Sequence, residues 1–157
     1  MRFSSFGINA FVLKYSICTA FPAALLELAE AVKFLRDNSE KFDIDPDKIL
    51  ICGFSAGGHL SASLGTLWNS SYLKSIFGKT EIYRPNGLIL SYPVITSGQF
   101  RHEGSIESII GKIQTMLCSN WFHLKNRLRR IPLKHLSGTV RTTAAFLRKT
   151  LLILLRL

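Results

Sequence analysis

Apolar residues along this chain come in short runs and in spaced stripes, and each spacing predicts an element. Residues 8–15 (INAFVLKY) form a short run rich in strand formers directly after Gly7. That run predicts a buried strand. Behind Pro22, the residues Leu25, Leu26, Leu28, Ala29, Val32 and Leu35 recur at three-to-four spacing, with Glu27, Glu30, Lys33 and Arg36 on the opposite face. This is the stripe of an amphipathic helix reaching about Ser39. Residues 42–47 (FDIDPD) are punctuated by Asp and Pro and read as a turn. Residues 48–53 (KILICG) predict a second strand, 57–67 a helix of small residues, and 87–94 (GLILSYPV) a third strand. Strands alternating with helices predict an α/β architecture, a parallel sheet with helices on its faces.

Charge divides the chain differently. Its 157 residues, enough for one domain, carry a formal +10. Residues 1–111 hold ten basic residues and all ten acidic ones, whereas 112–157 hold the other ten basic residues and no Asp or Glu. Ordinary domains are about one quarter charged with both signs mixed, so an acid-free stretch this long needs its own explanation. The expected organisation is therefore a folded core over 1–111 and a basic tail over 112–157. The tail contains a basic cluster at Lys125–Arg130 and ends in FLRKTLLILLRL. One explanation is a surface for anionic membrane or nucleic acid.

Other classes drop out on composition. Cys18, Cys52 and Cys118 are too few and too scattered for a disulfide scaffold or a zinc site, which points to a reducing, cytoplasmic setting. No run approaches the roughly 18 apolar residues of a membrane span. In Met1–Ala24 the apolar stretch is short and Lys14 interrupts it, so a buried strand is preferred to a secretory leader. Asp43, Asp45 and Asp47 alternate as in a calcium loop, but Lys48 stands where that loop needs Gly and Phe54 where it needs Glu. Turn and capping chemistry is the expectation there, with no metal and no cofactor.

The chemistry-bearing motif is Gly53-Phe54-Ser55-Ala56-Gly57, a G-x-S-x-G between a predicted strand and a predicted helix. A serine on so sharp a turn projects its hydroxyl beyond the sheet, and the two glycines remove side chains that would collide. The helix that follows aims its free N–H groups and positive end at the reacting centre. The stretch from Ile44 to Leu60 (IDPDKILICGFSAGGHL) resembles the α/β-hydrolase esterases, namely the acetyl-esterase, hormone-sensitive-lipase-like and feruloyl or acetylxylan esterase-like group. Gly7–Tyr15 resembles the strand after that group's oxyanion loop, and Ser91–Ile95 the strand after its elbow helix. The resemblance covers about residues 7–111. It implies an incomplete α/β-hydrolase fold acting on a small acyl or sugar ester, with Ser55 as nucleophile and the Ala56 N–H as an oxyanion donor.

The family's other parts have no match. Its His-Gly-Gly-Gly-type loop precedes the first strand, where this sequence offers only seven residues, none of them matching. After Ser55 the acids are Glu81, Glu103 and Glu107, and the histidines are His59, His102, His123 and His135. None is assigned to a triad, so the catalytic acid and histidine are expected to be missing and the chain to be inactive. Reading the coding DNA one base off from about Gly111–Lys112 explains the tail in another way. Where the printed residues force a base, the shifted frame is compatible with a TP-x-TF-IWH strand followed by DD and VP, which resembles the missing part of the same family. Two alternatives remain: a binding protein that uses the basic tail, and a serine peptidase or lipase of the same fold.

Overall fold

The computed structural model describes residues 7–17, 21–78, 81–94 and 151–156. In chain order these form β1 (Asn9–Lys14), α1 (Ala23–Asp37), β2 (Ile49–Phe54), α2 (Ala56–Leu67), α3 (Ser71–Phe77), β3 (Gly87–Ser91) and β4 (Leu151–Arg156). The amphipathic stripe becomes α1, which buries Leu25, Leu28, Ala29, Val32 and Leu35. The small-residue stretch becomes α2, buried along nearly its whole length. Small side chains let it lie close to the sheet: a Cβ on Gly65 would run into the Leu88 side chain.

The four strands form one sheet in the order β1-β4-β2-β3, and every pairing is parallel. Val12, Leu154, Cys52 and Ile89 stand side by side in one cross-strand row. Val12 and Ile89 are 43% and 45% exposed. Leu88, one residue away, meets α2, so this row lies on the face turned away from the helix. Ile49, Ile51, Ile153 and Leu155 belong to the buried core on the helix side.

Three features depart from the sequence reading. The third strand stops at Ser91 instead of Val94, because Tyr92 takes φ +36° and Pro93 has no N–H for a ladder. Helix α3 was not anticipated, although Ser70 caps its start by accepting the Leu73 N–H at 3.3 Å and Gly78, at φ +72°, ends it. Most consequentially, Leu151–Arg156 had been given no element. The structure places it as β4 between β1 and β2, so the sheet gains a fourth strand from within the acid-free segment.

Arg36 ties the far edge of the sheet together. It donates to the carbonyls of Pro46 at 3.0 Å, Glu81 at 3.1 Å, Ile82 and Arg84 at 2.8 Å, and to Asn86 Oδ1 at 2.9 Å. The same Asn86 oxygen accepts the Ile49 N–H at 3.1 Å. One guanidinium thus joins the end of α1 to the segments that enter β2 and β3, using its planar fork of donors.

Candidate active site

Parallel strands bring their carboxyl ends to one edge, and open α/β sheets place their reactive groups there. β2 reaches that edge at Phe54, the chain turns at Ser55, and α2 begins at Ala56. Ser55 sits at φ +50°, ψ −115°, a conformation costly for any residue with a Cβ. Its backbone is held from both sides. The Ser55 N–H donates to the Ser91 carbonyl at 3.1 Å, and the Ser55 carbonyl accepts from His59 N at 3.1 Å and Val94 N at 3.4 Å.

The glycines of the motif have distinct tasks. A Cβ on Gly53 would collide with the Gly57 carbonyl and lie 2.6 Å from Gly58 N, so strand and helix can meet only if this position is bare. At Gly57 the added carbon would lie 3.2 Å from the Leu155 Cβ, which makes β4 a neighbour of the elbow. Gly58, unremarked in the sequence, admits Pro93, which would be 2.8 Å from an added Cβ. The doubled glycine and the Tyr-Pro after β3 were the available signals. Ser55 and Ala56 are both half-buried, and the Ala56 N–H opens the first turn of α2.

The remaining candidates divide. His59 lies one turn into α2, buried, with Nδ1 2.5 Å from the Val94 carbonyl. Burial holds its pKa below the ordinary 6.5, and the bond to Val94 offsets only part of this. In the unfolded chain His59 takes up a proton near its ordinary pKa, which the folded chain refuses until lower pH. Unfolding free energy should therefore fall as pH drops below about 6.5. In a His59→Gln variant, denaturant titrations at pH 7 and pH 5 should show a smaller difference than in the parent; an equal difference would remove His59 as the cause.

Glu81 is exposed and paired with Arg84 at 3.2 Å, beside a cavity of about 470 Å³ lined by Arg36, Asp47 and Asn86 at the opposite edge of the sheet. It is therefore remote from Ser55. Glu103, Glu107, His102, His123 and His135 lie outside the described residues, as do Cys18 and Cys118. Cys52 is a free, buried thiol whose pKa burial pushes up, so it behaves as a small core residue. Asp45 accepts the Asp47 N–H at 2.9 Å and pairs with Lys48 at 3.1 Å, which is the turn chemistry expected of that loop. No helix among the described residues is long and apolar enough to cross a membrane.

A family model described as BD-FAE matches residues 5–95, a span that contains the elbow and its supports. Endo-1,4-beta-xylanase B of Butyrivibrio fibrisolvens is 37% identical over 139 residues, covering 82% of this chain and 21% of that protein. An acetylxylan esterase of Xylanibacter ruminicola is 34% identical over 110 residues, covering 68% of this chain and 20% of that one. Among solved structures, the acetyl ester-xyloside bifunctional hydrolase of Caldicellulosiruptor lactoaceticus is similar with a TM-score of 0.61 at 27% identity, over 87% of this chain and 56% of the other. The chain thus spans about a fifth of the length of the curated relatives it matches.

Proposed function

The chain belongs to the BD-FAE family, with the α/β-hydrolase fold of an esterase, and from that premise we propose that it is the elbow-bearing core of a serine carboxylesterase with Ser55 as nucleophile. The observation that carries the reading is Ser55 itself. It is a strained, half-buried serine at a strand-to-helix turn, with Gly53 bare because a Cβ there would run into the Gly57 carbonyl, and Gly57 packed closely on Leu155. Its Oγ would attack the ester carbonyl, and the Ala56 N–H and the positive end of α2 would stabilise the oxygen that gains charge. Small acyl esters, acetylated sugars among them, are the proposed substrates. One relative is an acetylxylan esterase, and one solved neighbour is an acetyl ester-xyloside bifunctional hydrolase.

No acid and histidine are assigned to Ser55, and triad members lost from serine hydrolases cost several powers of ten in rate. We therefore propose that reaction at Ser55 in this chain is slow, in covalent labelling as well as in turnover. An alkyl p-nitrophenyl phosphonate should form an adduct on Ser55, located by peptide mass spectrometry, while p-nitrophenyl acetate is hydrolysed barely above background. Ser55→Ala should lose the adduct entirely. An adduct elsewhere, or none, would sink the assignment. Faster turnover of long acyl esters or peptides than of acetyl esters would favour a lipase or peptidase.

The division at residue 111 is also held as a proposal. Two observations bear against treating 112–157 as a tail with no part in the fold: β4 comes from it, and the xylanase likeness covers more of the chain than residues 1–111. The nucleotide sequence across codons 105–160 decides whether a shifted frame spells the DD and VP segment or runs into stops.

A further inference from the structure

Two aromatic side chains stand in the open at the carboxyl edge of the sheet, beside Ser55. Tyr92 is 72% exposed, the most exposed large apolar side chain among the described residues, and Phe54 is 47% exposed. Their rings pair at 6.1 Å between centroids, with 51° between the planes. Both belong to the backbone that builds the elbow. Phe54 directly precedes Ser55. Tyr92 lies between Ser91, whose carbonyl accepts the Ser55 N–H at 3.1 Å, and Val94, whose N–H donates to the Ser55 carbonyl at 3.4 Å. Phe54 is two residues beyond Cys52 and shares its face of the sheet, the one turned away from α2. The pair thus forms a ledge where that face meets the edge carrying Ser55, reached directly from water. Tyr92 is also strained. A residue before proline is pushed towards extended backbone, yet Tyr92 takes φ +36° before Pro93. A bulky residue enters that region only where its surroundings enforce it. Here the hydrogen bonds to Ser55 fix the chain on both sides of the turn. The fold accepts strain and leaves an aromatic ring in water next to the nucleophile, with no burial in return.

We propose that Phe54 and Tyr92 form the subsite for the alcohol half of the ester, seating a flat six-membered ring while the acyl carbonyl lies over Ser55. This rests on the reading of Ser55 as nucleophile and adds the residues that select its substrate. A small acyl group has too little surface to cover two rings, so the alcohol half is the part that can fill the ledge. Open, tilted rings offer faces, whereas a long alkyl chain needs an enclosed groove to bury its length. A pyranose suits such faces. Its C–H face removes apolar area from water against an aromatic ring, and its rim hydroxyls stay in water or meet the Tyr92 hydroxyl. An aryl ester shares the flat shape but carries no rim of hydroxyls.

Protection of Ser55 against the p-nitrophenyl phosphonate tests the subsite. Methyl β-D-xylopyranoside should slow adduct formation saturably, benzyl alcohol less well, and 1-hexanol not at all. In Tyr92→Asn, whose new residue tolerates φ +36°, the xyloside concentration for half-protection should rise about three- to tenfold. Phe54→Leu, which keeps an apolar side chain but no ring, should raise it by a similar factor and serves alone if Tyr92→Asn fails to fold. Phe34→Leu is the control. Phe34 is similarly exposed at 50%, but its ring lies against Phe42, ahead of β2. Half-protection should keep the parental value there. Benzyl alcohol protecting better than the xyloside would keep the ledge and assign it to aryl esters. Hexanol protecting as well as either ring, an adduct that neither ring slows, or half-protection unchanged in both ledge variants overturns the subsite and leaves Ser55 as nucleophile. No adduct in the parent chain overturns both.

Discussion

Gly53→Ala should cost more stability than any other single methyl group added to the described residues near the elbow, and it should abolish phosphonylation of Ser55. The added carbon would enter the Gly57 carbonyl and approach Gly58 N to 2.6 Å. Both are backbone atoms of the first turn of α2, so no rotamer change relieves the contact. Either α2 lifts from β2 or the strained turn at Ser55 relaxes, and each outcome moves the hydroxyl away from Ala56 N–H. Over-packing of this kind costs about 1–3 kcal/mol when side chains can yield, and the upper end or beyond is expected where they cannot. Gly78→Ala is the comparison. Gly78 also favours glycine, at φ +72°, but an added Cβ there meets nothing within 4 Å. It should cost only the left-handed strain, about 1–2 kcal/mol, and leave Ser55 reactive. Denaturant midpoints at constant slope measure both. A Gly53→Ala protein as stable as Gly78→Ala would mean that the close approach of strand and helix does not exist in solution.

What could be read from the sequence was local. The stripe from Leu25 to Leu35 specified α1 because burial of one helix face repeats every three to four residues. The run into Gly53 specified β2 and, with Ser55, the elbow. Helix α3 was marked only by its caps, Ser70 and Gly78, since seven residues are too few for a periodic stripe. β4 left no local mark of its place. Parallel pairing joins distant segments through backbone ladders, and nothing in LLILLR says that it fits between Asn9–Lys14 and Ile49–Phe54. The site divides in the same way. The sequence identified Ser55, Ala56, Gly53 and Gly57, whose roles follow from a local turn. It did not identify Tyr15, Leu155 or Pro93, which reach the elbow only because other strands end at the same edge.

Ile153→Asp should be the most damaging side-chain substitution among the described residues of the acid-free segment. Ile153 is 1% exposed and pairs with Phe11 on one side and Ile51 on the other, at the middle of the sheet. A carboxylate there loses its water and gains no partner among its cross-strand neighbours, which are apolar on both sides. The expected loss exceeds about 4 kcal/mol, a large share of the roughly 5–15 kcal/mol that holds a domain together. The unfolding transition should broaden or vanish, and Ser55 should lose its phosphonate reactivity, since Leu155, two residues along the same strand, packs against Gly57 of the elbow. Leu154→Asp separates this from a general intolerance of charge. Leu154 is only half-buried and belongs to the row of Val12 and Ile89 on the face away from α2, where a carboxylate can reach water. It should cost much less. If both variants melt with the parent chain, residues 151–156 contribute nothing to the sheet, and the shifted reading frame becomes the better account of 112–157. If only Ile153→Asp collapses, β4 is a structural member of the fold and residues 151–156 hold the place between β1 and β2.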